Sequence, residues 1–259
     1  EEILAMKIDL HLHAKERSSC SNATEKQHIE AAIKLGLDAI VFTDHDKLVP
    51  LEHLKELNKK YYPFKIFGGI EVRLCDSGED FLVLGLHDNI LQENKWTYEK
   101  LYKYVKENNG FIALAHPYRY VHSIASNIEK YVPDAIEIHS TNIGKDDSED
   151  IKKLAEKLNT RLISNSDGHD SKYVGIYYND IEGNPETDAG LIALLKAGKY
   201  KHSCFEPARI EEFNNTVKER EAIIKKLIKE NKDRKYYHEL TGNWEGEFDR
   251  VALGKSREI

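Results

Sequence analysis

Between residues 6 and 170, short apolar or β-branched runs repeatedly end on an imidazole or a carboxylate, and this repetition restricts the fold more than any other feature. The runs at 7–11, 39–43, 65–72, 81–85, 111–115, 135–138 and 161–164 read as strands. Charged amphipathic stretches at 25–35, 47–58, 96–108, 148–158 and 188–197 read as helices, with Gly36, Gly110 and Gly198 placed for left-handed C-caps. This alternation is that of βα units around a parallel sheet and predicts an α/β fold, an irregular (β/α) barrel of seven strands over residues 6–205. Neither GxGxxG nor GxxxxGK[ST] occurs, which removes the support for an open nucleotide-binding sheet.

After Phe205 the character changes. Residues 206–235 read as one long charged helix with an apolar stripe at Ile210, Phe213, Val217, Ile224 and Leu227, expected either to pack on the barrel or to form a homo-oligomer. The tail 236–259 has no readable fold. Met6 is expected to be the natural start, with residues 1–5 an added or processed extension.

The formal net charge of −7 offers no global attraction to nucleic acid or anionic membrane, although 218–235 carries eight Lys/Arg against four Asp/Glu. Three cysteines outside any CxxC arrangement fit a reducing cytoplasm, and no apolar run approaches a membrane span.

The chemistry lies at the strand ends. His11 and His13 close the first run, Asp44 and His45 follow the second, Glu71 the third, His116 the fifth, His139 the sixth, and Asp167 with His169 the seventh. In a parallel barrel all these ends meet at one mouth. Residues two apart in a strand share a side, so His11 with His13, and Asp167 with His169, can each present two ligands to one cavity, with Asp9 and Glu137 set to orient a ring. Imidazoles and carboxylates without a thiolate suit Zn, Mn or Fe better than Mg. Any single histidine, such as His28, His53, His122, His202 or His238, is read as a surface or satisfied core residue, and His87 stays undecided.

These motifs resemble those of the PHP (polymerase and histidinol phosphatase) superfamily of metal-dependent phosphoesterases. The resemblance rests on Asp-Leu-His-Leu-His at 9–13, Thr-Asp-His-Asp at 43–46, Gly-Ile-Glu-Val at 69–72, Ala-His-Pro-Tyr-Arg at 115–119, Glu-Ile-His at 137–139 and Ser-Asp-Gly-His at 166–169. It implies a distorted (β/α)7 TIM-like barrel, here with a C-terminal helical extension. It also implies a cluster of two or three divalent metal ions held by His11, His13, His45, Glu71, His116, His139, Asp167 and His169. Relatives with three metals have a further His or Asp soon after the HxH, where 14–22 offers only Glu16, Cys20 and hydroxyls, and many have a histidine where this chain has Phe81. Two metals are therefore the expectation.

Paired divalent ions would activate a water and clamp phosphoryl oxygens. Glu71 is the candidate bridging carboxylate, Arg119 and Arg73 the candidate phosphate clamps, and Asp44 a candidate orienting group. The expected activity is hydrolysis of a phosphomonoester on a small molecule or nucleotide through a metal-activated hydroxide. Phosphodiester cleavage of short oligonucleotides is the alternative within enzymes, long nucleic acid being disfavoured by charge. A non-catalytic metal-binding interaction module is the alternative outside them.

Overall fold

The computed structural model describes residues 5–93 and 95–259, so the expectation for an N-terminal extension falls, for residues 1–4, outside the described residues. In chain order the first part comprises β1 (Ala5–Leu12), α1 (Glu25–Leu35), β2 (Ala39–Phe42), α2 (Leu51–Tyr61), β3 (Lys65–Arg73), β4 (Asp80–Leu84), α3 (Ile90–Glu93), α4 (Tyr98–Glu107), β5 (Phe111–Leu114), β6 (Ala135–His139), α5 (Ser148–Leu158), β7 (Arg161–Ser164), β8 (Tyr177–Glu182), α6 (Asp188–Ala197) and β9 (Tyr200–Cys204). The sheet has the order β7-β6-β5-β4-β3-β2-β1-β8-β9 and curls into a distorted, nearly closed barrel.

All seven expected strands are present, but the sheet is mixed. β4 runs antiparallel to both β3 and β5, and β8 is antiparallel to β1 and β9. β8 and β9 escaped the sequence reading because Tyr-Tyr-Asn-Asp-Ile-Glu and Tyr-Lys-His-Ser-Cys hold no apolar run. Between β7 and β8 a side chain takes over from the backbone ladder. Asn179 accepts from Ser164 N at 3.1 Å and donates to Ser164 O at 2.8 Å.

The barrel interior is packed by Ile8, Leu10, Val41, Leu82 and Ala113, and α6 adds Leu191, Ile192 and Leu195 to that cluster. α1 starts in a capping box at Thr24 and ends at left-handed Gly36 (φ 82°). At the end of α4 the left-handed residue is Asn109 (φ 59°) rather than the expected Gly110.

The expected helix at 206–235 is shorter and is followed by two others: α7 (Pro207–Lys229), α8 (Arg234–Thr241) and α9 (Glu245–Ala252). The chain breaks at left-handed Asn231 (φ 54°), and Asp233 then caps α8, its side chain accepting from Tyr236 N at 2.9 Å. The apolar stripe of α7 is covered within the chain. Phe213 and Val217 pack with Ile176 and Tyr177, and Ile224 and Leu227 with Tyr237 and Phe248. The three helices form a cap over the barrel mouth. Among the described residues, no helix is long and apolar enough to cross a membrane.

Candidate metal centre

β1 carries His11 into the barrel axis, and His13 follows on the same side. Their Nε2 atoms lie 3.0 Å apart. Glu71, near the end of β3, and Asp167, after β7, meet them from across the barrel. Glu71 Oε2 is 3.5 Å from His11 Nε2 and 3.2 Å from His13 Nε2, and Asp167 Oδ1 is 3.3 and 3.2 Å from the same two atoms. All four side chains are buried.

Glu71 also reaches a second group. Its Oε1 is 2.8 Å from His116 Nε2, and its Oε2 is 2.8 Å from His45 Nδ1. His13 stacks between His45 (4.4 Å between centroids) and His169 (4.3 Å). Four overlapping sets result, each with ligand atoms within 4.8 Å of one another: His13/His45/His169, His11/His116/Asp167, His11/His13/Glu71 and Glu71/Asp80/His116.

The site is electrostatically consistent with a cation. Among the described residues, Glu71 Oε2 and Asp167 Oδ1 are buried and meet only imidazole nitrogens, His45 Nδ1 at 2.8 Å from the first and His13 Nε2 at 3.2 Å from each. Two buried carboxylate oxygens that meet only imidazoles are costly unless positive charge, on the rings or on a bound cation, meets them. Burial works against the charge of Glu71 and Asp167, but the neighbouring imidazoles outweigh it and hold both well below the usual carboxylate range. Conversely, burial disfavours the His11 cation, yet Asp167, Glu137 and Glu71 raise it well above an ordinary imidazole. This residue set fits divalent metal ions with mixed nitrogen and oxygen ligands.

The supporting contacts fix ring orientation. His11 Nδ1 donates to Glu137 Oε1 at 3.0 Å, which leaves Nε2 facing the carboxylates. His169 Nδ1 donates to Asp167 O at 3.0 Å, and Asn142 Nδ2 donates to Asp167 Oδ2 at 2.6 Å. His116 (φ 26°) and Asp167 (φ 49°) adopt left-handed backbone conformations that cost L residues energy, as is common where a site dictates direction.

Seven of the eight expected ligand residues converge. His139 does not join them: its Nδ1 lies 2.9 Å from Ser164 Oγ, and its ring stacks on Tyr177 at 4.9 Å. The reason is a register shift in β6 between Glu137 and His139, which removes His139 from the face that Glu137 occupies. Asp80 stands where the sequence offered no candidate, 3.8 Å from His116 Nε2 through Oδ2. Because β4 runs antiparallel, its first residue, not its last, reaches the mouth.

Asp44 touches no imidazole. It accepts from Ala14 N and Ser18 Oγ, each at 2.7 Å, and from Arg17 Nε at 2.6 Å, and so holds the loop after β1. Arg73 is engaged by Asp80 at 2.8 and 2.5 Å. Arg119 is freer, with Nη1 3.4 Å from His116 Nε2 and its guanidinium stacked on Trp244, 4.5 Å from the ring centroid. Asp9 orients no ring and binds Ser166 and Gly175 N instead. His87 faces Asp188 of α6 at 3.0 Å, apart from these sets. Between the mouth and the cap lies a cavity of about 690 Å³ reached by His45, His169, Arg119, Trp244, Arg220 and Arg257.

A model of the PHP domain matches residues 9–258. No curated protein matches the chain. Solved structures share the fold at low identity. PsfC from Pseudomonas syringae is 17% identical with a TM-score of 0.61, over 82% of this chain and 97% of PsfC. A two-domain protein from Bacteroides vulgatus, described as containing a predicted PHP-like metal-dependent phosphoesterase, is 17% identical with a TM-score of 0.59, over 78% of this chain and 65% of that one. An amidohydrolase from Chromobacterium violaceum is 16% identical with a TM-score of 0.54, over 78% and 99%.

Proposed function

The chain belongs to the PHP domain family, and from that premise we propose that it is a metal-dependent phosphoesterase that hydrolyses a phosphomonoester on a small molecule or nucleotide. The observation that carries this reading is the convergence of His11, His13, Glu71 and Asp167 on one point, with two buried carboxylate oxygens that meet only imidazole nitrogens. His11, His13, Glu71 and Asp167 would hold one ion, and Glu71, His116 and Asp80 a second, with Glu71 offering one oxygen to each; His45 and His169 stand beside His13. Divalent ions bound there supply a nucleophile near neutral pH and neutralise charge developing on the phosphoryl group.

The chain's own groups do the rest. Glu137 and Asn142 hold His11 and Asp167 in place. Arg119 presents a guanidinium, fixed against Trp244, to phosphoryl oxygens, and its planar fork suits them. Arg73, taken by Asp80, keeps that carboxylate oriented rather than serving as a clamp. The cap confines the mouth to about 690 Å³, which favours a small substrate over a long polymer.

The test is turnover of p-nitrophenyl phosphate and bis(p-nitrophenyl) phosphate by chain loaded with Zn, Mn or Fe. Monoester turnover, weakly dependent on salt, is expected to dominate. Fewer than two equivalents of bound metal together with inertness in every metal would refute the reading, and dominant diester turnover would favour the oligonucleotide alternative.

A further inference from the structure

The cavity has two chemically different walls. On the barrel side are the candidate metal ligands. On the cap side, Arg220 and Arg257 share one carboxylate: Arg220 Nη1 lies 2.8 Å from Glu247 Oε1, and Arg257 bonds the same oxygen. Glu247 Oε2 is occupied by the Tyr237 hydroxyl at 2.7 Å. Two guanidiniums thus share one carboxylate oxygen on a wall that both line.

Further guanidiniums lie close to this pair. Arg250 is fully buried and, among the described residues, has no carboxylate in bonding reach, donating to the carbonyls of Asn142 and Ser256 at 3.0 Å each. Among the described residues, the Nε atoms of Arg119 and Arg257 are buried without partners. Elsewhere on the cavity, Arg234 is neutralised by Glu245 and Asp249, at 2.5 and 2.7 Å. The least fully matched guanidiniums are therefore Arg220 and Arg257, which share Glu247, and Arg119, whose carboxylate, Asp80, is 3.9 Å away. Guanidinium forks that share one carboxylate beside a cavity keep donors free for an entering anion. Trp244, lining the cavity between Arg119 and the cap helices, provides a flat surface for whatever links two anionic ends.

Resting on the phosphoesterase reading, we infer that the cap wall binds a second anionic group of the substrate, a phosphate or a carboxylate, while the scissile phosphate lies at the barrel wall. Arg220 and Arg257 are then specificity-determining residues that select doubly anionic phosphoesters. Guanidinium forks suit both anions.

Three ligands with one carbon skeleton test this: ribose 5-phosphate, ribose 1,5-bisphosphate and 5-phosphoribonate. With full-length, manganese-loaded protein, kcat/KM is read where phosphate is released, and Kd by calorimetry where it is not. At least one doubly anionic ligand should exceed ribose 5-phosphate by about tenfold or more, the worth of one charge-assisted hydrogen bond. The better of the two identifies the second group. Arg220→Gln and Arg257→Gln should each reduce that ratio about tenfold, and Arg220→Lys, which keeps charge but loses the fork, should reduce it less. Melting curves identify any variant that fails to fold, and Arg220, the more exposed of the two, then decides. Equal values for all three ligands, or variants that weaken all three alike, would overturn the inference. Preference in binding without any hydrolysis would sustain it while rejecting the phosphoesterase reading.

Discussion

His11 Nδ1 and Glu137 Oε1 lie 3.0 Å apart, joining β1 to β6 across the barrel. Glu137 holds other parts of the site as well: Oε2 accepts from His116 N at 3.0 Å, and Oε1 accepts from Asn165 Nδ2 at 2.8 Å. One buried carboxylate thus sets the positions of two candidate ligands that are far apart in sequence. Glu137→Gln keeps the size but removes the charge and offers a donor where acceptors are needed. Metal affinity in a chelator competition is expected to fall about 10- to 100-fold, as for loss of other groups that orient ligands. Unchanged affinity would mean that His11 needs no such partner.

The geometry separates Asp80 from His139. Asp80→Asn should lower metal stoichiometry or affinity measured by elemental analysis, because Asp80 shares a ligand-sized cluster with Glu71 and His116. His139→Ala should leave metal content unaltered, since its ring lies against Tyr177 and Ser164. The reverse outcome would restore His139 as a ligand.

Asp167→Asn and His13→Ala should abolish phosphoesterase turnover while circular dichroism stays native. His53, half-exposed and paired with Glu25 at 2.7 Å on the outer helices, provides the control. His53→Ala should leave turnover within about twofold, as for surface substitutions remote from a site.

His28 gives a stability signature in acid. It is fully buried, and Nε2 donates to His13 O at 2.9 Å. Burial pushes its pKa down to about 4 from 6.5. The unfolded chain therefore binds more protons between these values, so His28's contribution is complete above pH 6.5 and is lost as pH falls towards 4. Full loss amounts to about 3 kcal/mol. Asp9, pushed up to about 6 by burial, acts in the opposite sense, favouring the fold at low pH and losing that contribution as pH rises through 6. The His28 term must therefore be read by difference: the denaturation free energies of wild type and His28→Gln should converge as pH drops from 6.5 to 4. Parallel curves would show that His28 does not titrate with folding.

Arg250 anchors the cap. Arg250→Met fills much of the space but leaves the carbonyls of Asn142 and Ser256 without their donors. A loss of about 1–3 kcal/mol per orphaned group is expected, partly offset by relief from burying a charge. Limited proteolysis should then cut within 207–259 faster than in wild type. An unchanged cleavage rate would indicate that the cap is held by its apolar contacts alone.

Much of the site was readable from residue order. Imidazoles and carboxylates directly following β-branched runs placed His11, His13, His45, Glu71, His116, Asp167 and His169 at one mouth, and the structure brings these seven together. Parity also pointed to Glu137 as an orienting carboxylate, which is its contact with His11. Parity failed for His139 because it assumes an unbroken pleat, and one shift of register moves a side chain off its face. It failed for Asp9 as well, whose acceptors went to Ser166 and Gly175.

The cap was the least legible part. The stripe on α7 announced that an apolar face would be covered, but not by what, since coupling to Tyr237 and Phe248 depends on a chain reversal through left-handed Asn231 and the capping residue Asp233. Trp244 and Arg257 carried no local signal of a role, because each meets the cavity only through contacts with distant residues.

The sequence by itself determined seven strands of the barrel, from periodicity, and seven of the side chains that meet in the candidate metal centre. Strand direction was decided only in three dimensions. With β4 reversed, Asp80 rather than the strand's last residue faces the mouth, and with 207–252 folded over it, an open barrel end becomes an arginine-walled cavity. Direction and enclosure come from pairing between segments remote in the chain, and a local pattern of residues does not encode that pairing.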